Sequence, residues 1–302
     1  LVYSSAYIKL HEQEAFCAAL MNSQPMGFWS PHSLSQDARR HGVVVLTPDI
    51  NASRADATLE PCEKSTGGFA VRMGVGSVRG MSAAVAQRIE AGRPYASMED
   101  LVRRVPQLHI AQLEALATAG VFIQSFGQQR RDALWSAGAV IQSRPDRLAG
   151  VTTGSEAPHL PGMQPVEEAI ADIWATGVSP TGHPTEFLRT ELQRMGVVVA
   201  ADLPSRGQAG DAKVLVAGTV THRQRPMTAQ GITFINLEDE TGLINVVCSV
   251  GCWTRYRKAA RGAGALLVRG RLEVGDGGVI NVVAEHIAPL AVGAKVAARN
   301  FR

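Results

Sequence analysis

Basic and aromatic residues lie close together in one stretch near the C-terminal end of the sequence. The segment THRQRPMTAQGITF carries His222, Arg223 and Arg225 in an expected flexible loop, followed by Phe234 in a strand. Guanidinium groups neutralise phosphates and an aromatic ring stacks on a base, so this combination suits the binding of single-stranded nucleic acid. The alternative is that the arginines are merely solvated and that Phe234 is a core residue.

Glycines and arginines recur in a second region, between residues 70 and 148. A glycine turn between two helices exposes backbone N–H groups at the start of the second helix, where they favour a phosphate oxygen without reading bases. Residues 72–147 include ten arginines, Arg144 and Arg147 among them, but only six acidic residues. This local excess of positive charge is larger than the net charge of the whole chain, which is +3. The alternative is an ordinary helical bundle with solvated arginines. The residues predicted to contact DNA here are Gly76, Arg79, Gly80, Gly120, Arg130 and Arg131.

Three consecutive acidic residues, Glu238, Asp239 and Glu240, follow Phe234 closely. Carboxylates are metal ligands, but three adjacent ones cannot all face one ion. A Thr-Gly pair comes next, which is typical of a turn. We therefore predict a solvated hairpin turn rather than a metal site.

Strands are expected to position the first group of residues. Residues 211–290 contain five Val- and Ile-rich stretches that alternate as strands do, with a helical stretch, GCWTRYRKAARGAG, between the third and fourth. This order is that of an OB barrel, which binds nucleic acid on its second and third strands. Gly218 and Gly270 lie within strands, where a small barrel needs bends.

Helices are expected to position the second group. Residues 70–148 contain two segments that we interpret as helix–turn–helix units with glycine in the turn, and Ser82 and Ser97 stand at helix starts. Residues 1–60 predict a helix, a turn, a second helix and a short strand. A Gly/Pro/Thr-rich linker at 149–164 and two short helices lead to the barrel.

The composition excludes several classes of protein. Hydrophobic residues make up 45% of the 302 residues, enough for packed cores in two or three domains. The four cysteines include no C-x-x-C pair, so neither a disulfide framework nor a zinc site is expected, and the cytoplasm is the expected location. No apolar run reaches the roughly 20 residues that span a bilayer. The opening segment predicts an amphipathic helix without an initiator Met or a signal peptide, which we interpret as part of a longer protein.

Several segments, in order along the chain, resemble one enzyme family. QPMGFWSPHSLSQDARRHGV resembles the late fingers region of bacterial C-family DNA polymerases, the polymerase III alpha-subunit group, and its error-prone branch in particular. FAVRMGVGSVRG, YASMEDLVRR and LEALATAGVF resemble the tandem helix-hairpin-helix segment of that family. LPGMQPVEEAIADIWATGVSPTGHP resembles its connector, and RQRPMTAQGITFINLEDETGLINVV resembles its OB domain. The resemblance covers essentially the whole chain.

The resemblance implies a translesion DNA polymerase used in DNA-damage-induced synthesis. Its implied partners are DNA, as single-stranded template and primer–template duplex, translesion accessory proteins and, indirectly, a sliding clamp; no membrane is implied. The catalytic aspartates of the family lie in an upstream palm domain, and neither Asp49 nor Asp56 matches them. We therefore expect no catalytic residue, metal or cofactor in this chain, with Mg²⁺ belonging to the parent polymerase. The clamp-binding motif and the further domain of replicative alpha subunits are not found, which favours the error-prone branch.

The predicted fold class is α+β multidomain. The predicted domains are a late fingers region at 1–65, a tandem helix-hairpin-helix DNA-binding domain at 66–148, a linker and short helical connector at 149–210, a five-stranded OB barrel at 211–290 and a tail at 291–302. Three alternatives stay open: a stand-alone module that binds single-stranded nucleic acid, a fragment of a replicative alpha subunit, and an inactive paralogue that acts as a scaffold for repair proteins.

Overall fold

The computed structural model describes residues 1–27, 29–143, 148, 154, 157–208, 213–275 and 278–291, together with the backbone of 299–301. The chain forms two compact units, one of Leu1–Pro25 and His41–Thr181 and the other of Met26–Arg40 and Gly182–Arg302. Arg144, Arg147, much of the predicted linker and most of the predicted tail lie outside the described residues. In the described part of the chain, no helix is long and apolar enough to cross a membrane.

The elements are numbered in chain order. The helices are α1 (Val2–His11), α2 (Gln13–Asn22), α3 (Pro31–Arg40), α4 (Ala83–Ala91), α5 (Met98–Arg104), α6 (Ile110–Thr118), α7 (Ile123–Phe126), α8 (Arg130–Val140), α9 (Pro165–Thr176), α10 (Arg189–Arg194), α11 (Leu203–Gln208), α12 (Val250–Arg255) and α13 (Arg257–Gly262). The strands are β1 (Val45–Leu46), β2 (Thr58–Pro61), β3 (Phe69–Arg72), β4 (Val197–Val198), β5 (Lys213–Gln224), β6 (Thr233–Glu238), β7 (Leu243–Cys248), β8 (Ala265–Val274), β9 (Ile280–Pro289) and β10 (Arg299–Phe301).

Helices dominate the first unit. The hydroxyls of Ser82 and Ser97 cap α4 and α5 by accepting a hydrogen bond from a backbone N–H in the first turn of each helix, which confirms the predicted helix starts. Leu101, Leu116 and Phe122 are fully buried in one continuous core. This core holds the helices and the turns between them in fixed positions.

A three-stranded sheet in the order β1-β3-β2 precedes α4 in the chain. β3 pairs in parallel with β1 and antiparallel with β2, and its Ala70 and Val71 are fully buried. The prediction of an α-helix before the first glycine turn is therefore wrong, because Phe69–Arg72 is the central strand of a sheet and only a short 3-10 helix, Val75–Ser77, follows it. Only the turn and α4 follow the predicted helix–turn–helix pattern.

A closed five-stranded barrel forms the centre of the second unit. The strands pair in the order β5-β6-β7-β9-β8, and β8 pairs back with β5. α12 and α13 follow β7 and precede β8, which confirms the predicted order of an OB barrel. The barrel core is built from inward-facing aliphatic residues, among them Val216, Ile235, Leu237, Ile244, Val246 and Leu266.

Two glycines allow the strands of the barrel to approach each other closely. A Cβ atom at Gly218 would lie 2.8 Å from the carbonyl oxygen of Glu238. At Gly270 it would overlap the carbonyl oxygen of Val283, beside a register shift that follows Arg269. Both positions therefore require glycine, as the sequence predicts for strand bends.

The acidic turn between β6 and β7 is buried, so the prediction of a solvated turn is wrong. Glu238 accepts hydrogen bonds from the Ser33 hydroxyl and the Arg40 guanidinium of α3, each at 3.0 Å. Asp239 accepts one from the backbone N–H of Ala200 at 2.8 Å. Burial raises the pKa of Glu238, against the lowering effect of Arg40. The sequence pattern could not show this, because α3 lies about 200 residues earlier in the chain.

Candidate nucleic-acid interface

Phe234 lies on the outer face of the barrel. Side chains alternate along β6, so Ile235 and Leu237 point into the core while Phe234 and Asn236 point outward and stay partly exposed. The alternative that Phe234 is a core residue is therefore wrong. The Phe234 side chain is partly exposed, which stacking on a base requires.

Two parallel rows of side chains cross this outer face. The first row is apolar: Phe234 stands opposite Val247 of β7, which stands opposite Val283 of β9. The second row is polar: Asn236 stands opposite Asn245, which stands opposite Asn281. The Asn236 amide donates a hydrogen bond to the Asn245 side chain at 2.9 Å. We call the surface formed by these six residues the outer sheet face.

The outer sheet face offers two kinds of contact. Its apolar row can take the flat face of a base, and its amides can donate and accept hydrogen bonds at a base edge. The three asparagines are not among the residues that the sequence pattern predicts as contacts. The signal was present, since each asparagine interrupts a Val- and Ile-rich strand at an outward position.

The loop between β5 and β6 borders the outer sheet face. Arg225 and Met227 are exposed in it, Met227 almost completely. Gln230 and Gly231 both have positive φ angles, which turn the chain sharply into β6. Arg225 is thus placed as predicted, in an exposed loop beside Phe234.

His222 and Arg223 do not lie in the loop, so that part of the prediction is wrong. β5 continues to Gln224 and buries both side chains. The Arg223 guanidinium donates to the carbonyl oxygens of Ala260 at 2.6 Å and Ala263 at 2.5 Å, and burial lowers its pKa. Burial also lowers the pKa of His222. Arg223 therefore supports the fold rather than facing a ligand.

The glycine turn before α4 is the exposed backbone site of the first unit. Gly80 has a φ of 74° and open space around its Cα, and the Arg79 guanidinium lies 4.9 Å from the centre of the Trp174 ring. Gln112 anchors the turn by donating to the Gly80 carbonyl oxygen at 2.8 Å. Gly76 is exposed as well, but its N–H donates to the Ala55 carbonyl oxygen at 2.9 Å and is thereby satisfied.

The second predicted contact turn, which contains Gly120, is buried inside the first unit. Gly120 is buried, and a Cβ there would lie 2.9 Å from the Nε atom of Arg130. Arg130 is also buried and forms an ion pair with Asp172 of α9 at 2.7 Å. Burial raises the pKa of Asp172 to about 6, against the lowering effect of Arg130. Their predicted role as phosphate contacts is therefore contradicted by burial.

Arg131 is half exposed but already engaged. Its guanidinium pairs with the Glu167 carboxylate at 3.0 Å and donates to the Pro161 carbonyl oxygen at 2.8 Å. Gly76 and Arg131 are accessible but engaged by Ala55 and Glu167, which leaves Arg79, Gly80, Arg225 and Phe234 as the predicted contact residues on accessible surfaces. They divide between the two units, two in each.

Two family models match the two regions. The model described as a helix-hairpin-helix motif matches residues 42–133, and the one described as an OB-fold nucleic acid binding domain matches residues 214–290. These matches confirm the predicted fold class.

The whole chain is also similar to proteins named error-prone DNA polymerase. Identity is 54% over 306 residues in Mycobacterium bovis, 52% over 313 residues in Nocardia farcinica and 45% over 304 residues in Corynebacterium efficiens. The chain matches the C-terminal part of error-prone DNA polymerases. The resemblance found in the sequence is thereby confirmed.

The match covers 100% of this chain but only 26–27% of these error-prone polymerases. Among solved structures, asparaginyl-tRNA synthetase from Pyrococcus horikoshii is similar over 30% of this chain and 22% of its own, with 21% identity and a TM-score of 0.26. That likeness is too weak to support a conclusion.

Proposed function

We propose that this chain is the DNA-positioning part of an error-prone DNA polymerase. In this proposal the outer sheet face holds the single-stranded template, and the Gly80 turn with the start of α4 holds the backbone of the primer–template duplex. The name and the full-chain similarity of the relatives support the polymerase assignment. Synthesis across damaged DNA, accessory proteins, indirect clamp contact and a cytoplasmic location form part of the same proposal.

The outer sheet face is the observation that carries the proposal. Phe234 presents a half-buried ring beside a row of asparagine amides, and Arg225 stands exposed in the adjoining loop. A stacking platform with a neighbouring cation binds single strands with little sequence preference, because every base has a flat face. Duplex DNA offers no free base faces along its length, so the barrel suits the single-stranded template.

The Gly80 turn supports the duplex contact. Ala83 and Ala84, the first residues of α4, are exposed, so their backbone N–H groups can meet a phosphate oxygen. Arg79 supplies a positive charge beside them. Such contacts fix the position of a duplex without specifying its sequence.

The metal chemistry of nucleotide transfer does not fit the residues described here. In the described parts of the chain, no three or more His, Cys, Asp or Glu side chains form a group that could hold a metal ion. The Asp49 Oδ1 atom instead accepts hydrogen bonds from the backbone N–H groups of Asn51 and Ala52 and from the Ser125 hydroxyl. We therefore propose that Mg²⁺ acts in another part of the polymerase.

Binding to a labelled single strand tests the proposal. We expect Phe234→Ala to weaken binding of an oligonucleotide of about 16 nucleotides by roughly 5- to 150-fold, since one lost stacking contact amounts to about 1–3 kcal/mol. Phe234→Tyr should retain affinity because it keeps the ring. Phe69→Ala, which removes an exposed phenylalanine of β3, is the matched control. Fluorescence anisotropy measures all four proteins, and a wild-type chain that fails to bind at low salt would refute the proposal.

A further inference from the structure

A cluster of cations covers the two helices that follow the third barrel strand. Arg255, Arg257, Lys258 and Arg261 on α12 and α13 are all exposed. The sequence has no acidic residue from 241 to 272, whereas it has six basic ones there. Within the described parts of the chain, none of the four cations pairs with a carboxylate. Their charge is therefore not neutralised locally. We call these four residues the helical basic surface.

The buried Arg223 fixes the orientation of this surface. Its guanidinium donates to the carbonyl oxygens of Ala260 and Ala263, at the end of α13, where helical carbonyls lack partners within the helix. Ala260 is fully buried and faces the barrel. Arg257 and Arg261, four residues apart, are neighbours on the helix surface, and both are exposed, as is Lys258.

The helical basic surface continues from the loop that borders the outer sheet face. A Cβ at Gly231, in that loop, would lie 3.3 Å from an Arg225 guanidinium nitrogen and 3.0 Å from the side chain of Val250, the first residue of α12. Arg225 and the start of α12 therefore flank the same glycine. Arg225 thus lies next to the start of the helices that carry the helical basic surface, and the sequence has no acidic residue from position 241 to the end of α13.

The aromatic residues of this region do not face outward as stacking platforms. Trp253 and Tyr256 pack against the barrel core, and the Tyr256 ring lies 4.8 Å from the ring of His286. What this surface offers is positive charge, which suits phosphates rather than bases.

We propose that the helical basic surface binds the sugar–phosphate backbone of the single strand that leaves the outer sheet face past Arg225. This inference rests on the proposed function and extends it, because it assigns a second contact region on the same unit. The surface adds affinity that is independent of sequence and sensitive to salt, and it acts only on strands long enough to extend beyond the outer sheet face.

The salt dependence of binding tests the inference. In the full 302-residue chain, Arg257→Gln, Lys258→Gln and Arg261→Gln are combined, and the dissociation constant for a poly-dT strand is measured across salt concentrations. Three lost phosphate contacts should lower the slope of log K against log salt by about 2, at roughly 0.7 per contact on single strands. A strand of about 4 nucleotides, near the smallest site size of an OB fold, should bind both proteins equally.

A charge-matched variant provides the control. Lys64→Gln, Arg194→Gln and Lys213→Gln together remove the same charge from exposed positions outside α12 and α13, and they should leave the slope unchanged. The charge-preserving variant Arg257→Lys with Arg261→Lys should keep the wild-type slope. If the triple variant proves unstable, Lys258→Gln alone, the mildest change, takes its place. It should lower the slope by about 0.7.

The outcomes separate the two proposals. A wild-type chain that binds no single strand refutes the proposed function itself. A wild-type chain that binds, with an unchanged slope in the triple and the single variant, overturns only the helical contact. An equal drop in slope for the basic-surface triple and its charge-matched control also overturns it, because the effect would then come from net charge alone.

Discussion

The buried His32 should make the second unit sensitive to acid. It lies on α3 with 2% of its surface exposed, and neither ring nitrogen has a hydrogen-bond partner in the described structure. The centre of its ring is 5.4 Å from that of His183. Burial, and then the charges of Arg39 and Arg40, lower the pKa of His32 from 6.5 to about 4. The folded protein therefore holds this ring neutral.

The direction of the effect follows from the pH at which the folded and the unfolded protein each bind a proton at His32. The unfolded chain protonates His32 as the pH falls through 6.5, whereas the folded protein resists protonation until the pH reaches about 4. The stability contribution is complete above pH 6.5 and is lost as the pH falls towards 4. At 1.36 kcal/mol per pKa unit the loss is about 3 kcal/mol. His183, whose pKa burial also lowers well below 6.5, adds to it.

Urea unfolding from about pH 7.5 to about pH 4.5 measures the effect. Replacing Trp135 and Trp174 by Phe leaves Trp29 and Trp253, both in the second unit, as the fluorescent reporters. His32→Leu should lose about 2.5 kcal/mol less stability than the wild type over this range, because the folded state begins to protonate near the lower end. The difference isolates His32 from the buried carboxylates that titrate nearby.

The matched control is Ser35→Ala, which alters a neighbouring buried residue of α3 without a titrating group. It should shift stability equally at every pH. Parallel pH profiles for the wild type and His32→Leu would refute the reasoning, because they would mean that folding does not depress the pKa of His32.

Two further predictions concern stability. Asp172→Ala should destabilise the first unit by about 3–5 kcal/mol in urea unfolding, because it leaves the Arg130 charge buried without its partner, and a loss below about 1 kcal/mol would contradict this. Gly270→Ala should destabilise the barrel by about 1–3 kcal/mol or more in thermal melts, because its Cβ overlaps the Val283 carbonyl oxygen. Gly275→Ala, where the nearest atom lies 3.6 Å away, should be nearly neutral, and equal melting of both variants would exclude the close approach.

Local patterns were sufficient to predict much of the fold. The order of strands and helices in the barrel follows from alternation and composition, and the helix starts at Ser82 and Ser97 follow from their capping side chains. Gly218 and Gly270 were recognisable because glycine is unusual inside strands. Each of these signals lies within a few residues of the structure that it predicts.

The arginines could not be sorted by local patterns. Arg130 and Arg223 were predicted as phosphate contacts, yet each is buried against partners from a distant part of the chain. The partner of Arg130 lies on α9, about 40 residues later, and the carbonyl groups that hold Arg223 lie on and just after α13, also about 40 residues later. An arginine beside a glycine turn looks the same in sequence whether or not such a partner reaches it.

The row of three asparagines shows why part of the candidate site could not be predicted from the sequence: its members become neighbours only through the pairing of the barrel strands. Asn245 and Asn281 are neighbours because β7 and β9 pair in parallel, and a whole helical segment and β8 separate these two strands. A shift of β9 by one residue would place Val282 beside Asn245 and turn Asn281 into the core. The bend at Gly270 and the buried hydrogen bond from Arg223 to the Ala260 carbonyl oxygen of α13 help to set the positions of β8 and β9. The polar row on the outer sheet face is thus a consequence of barrel closure, and the Arg223 guanidinium contributes to that closure through its hydrogen bonds to Ala260 and Ala263.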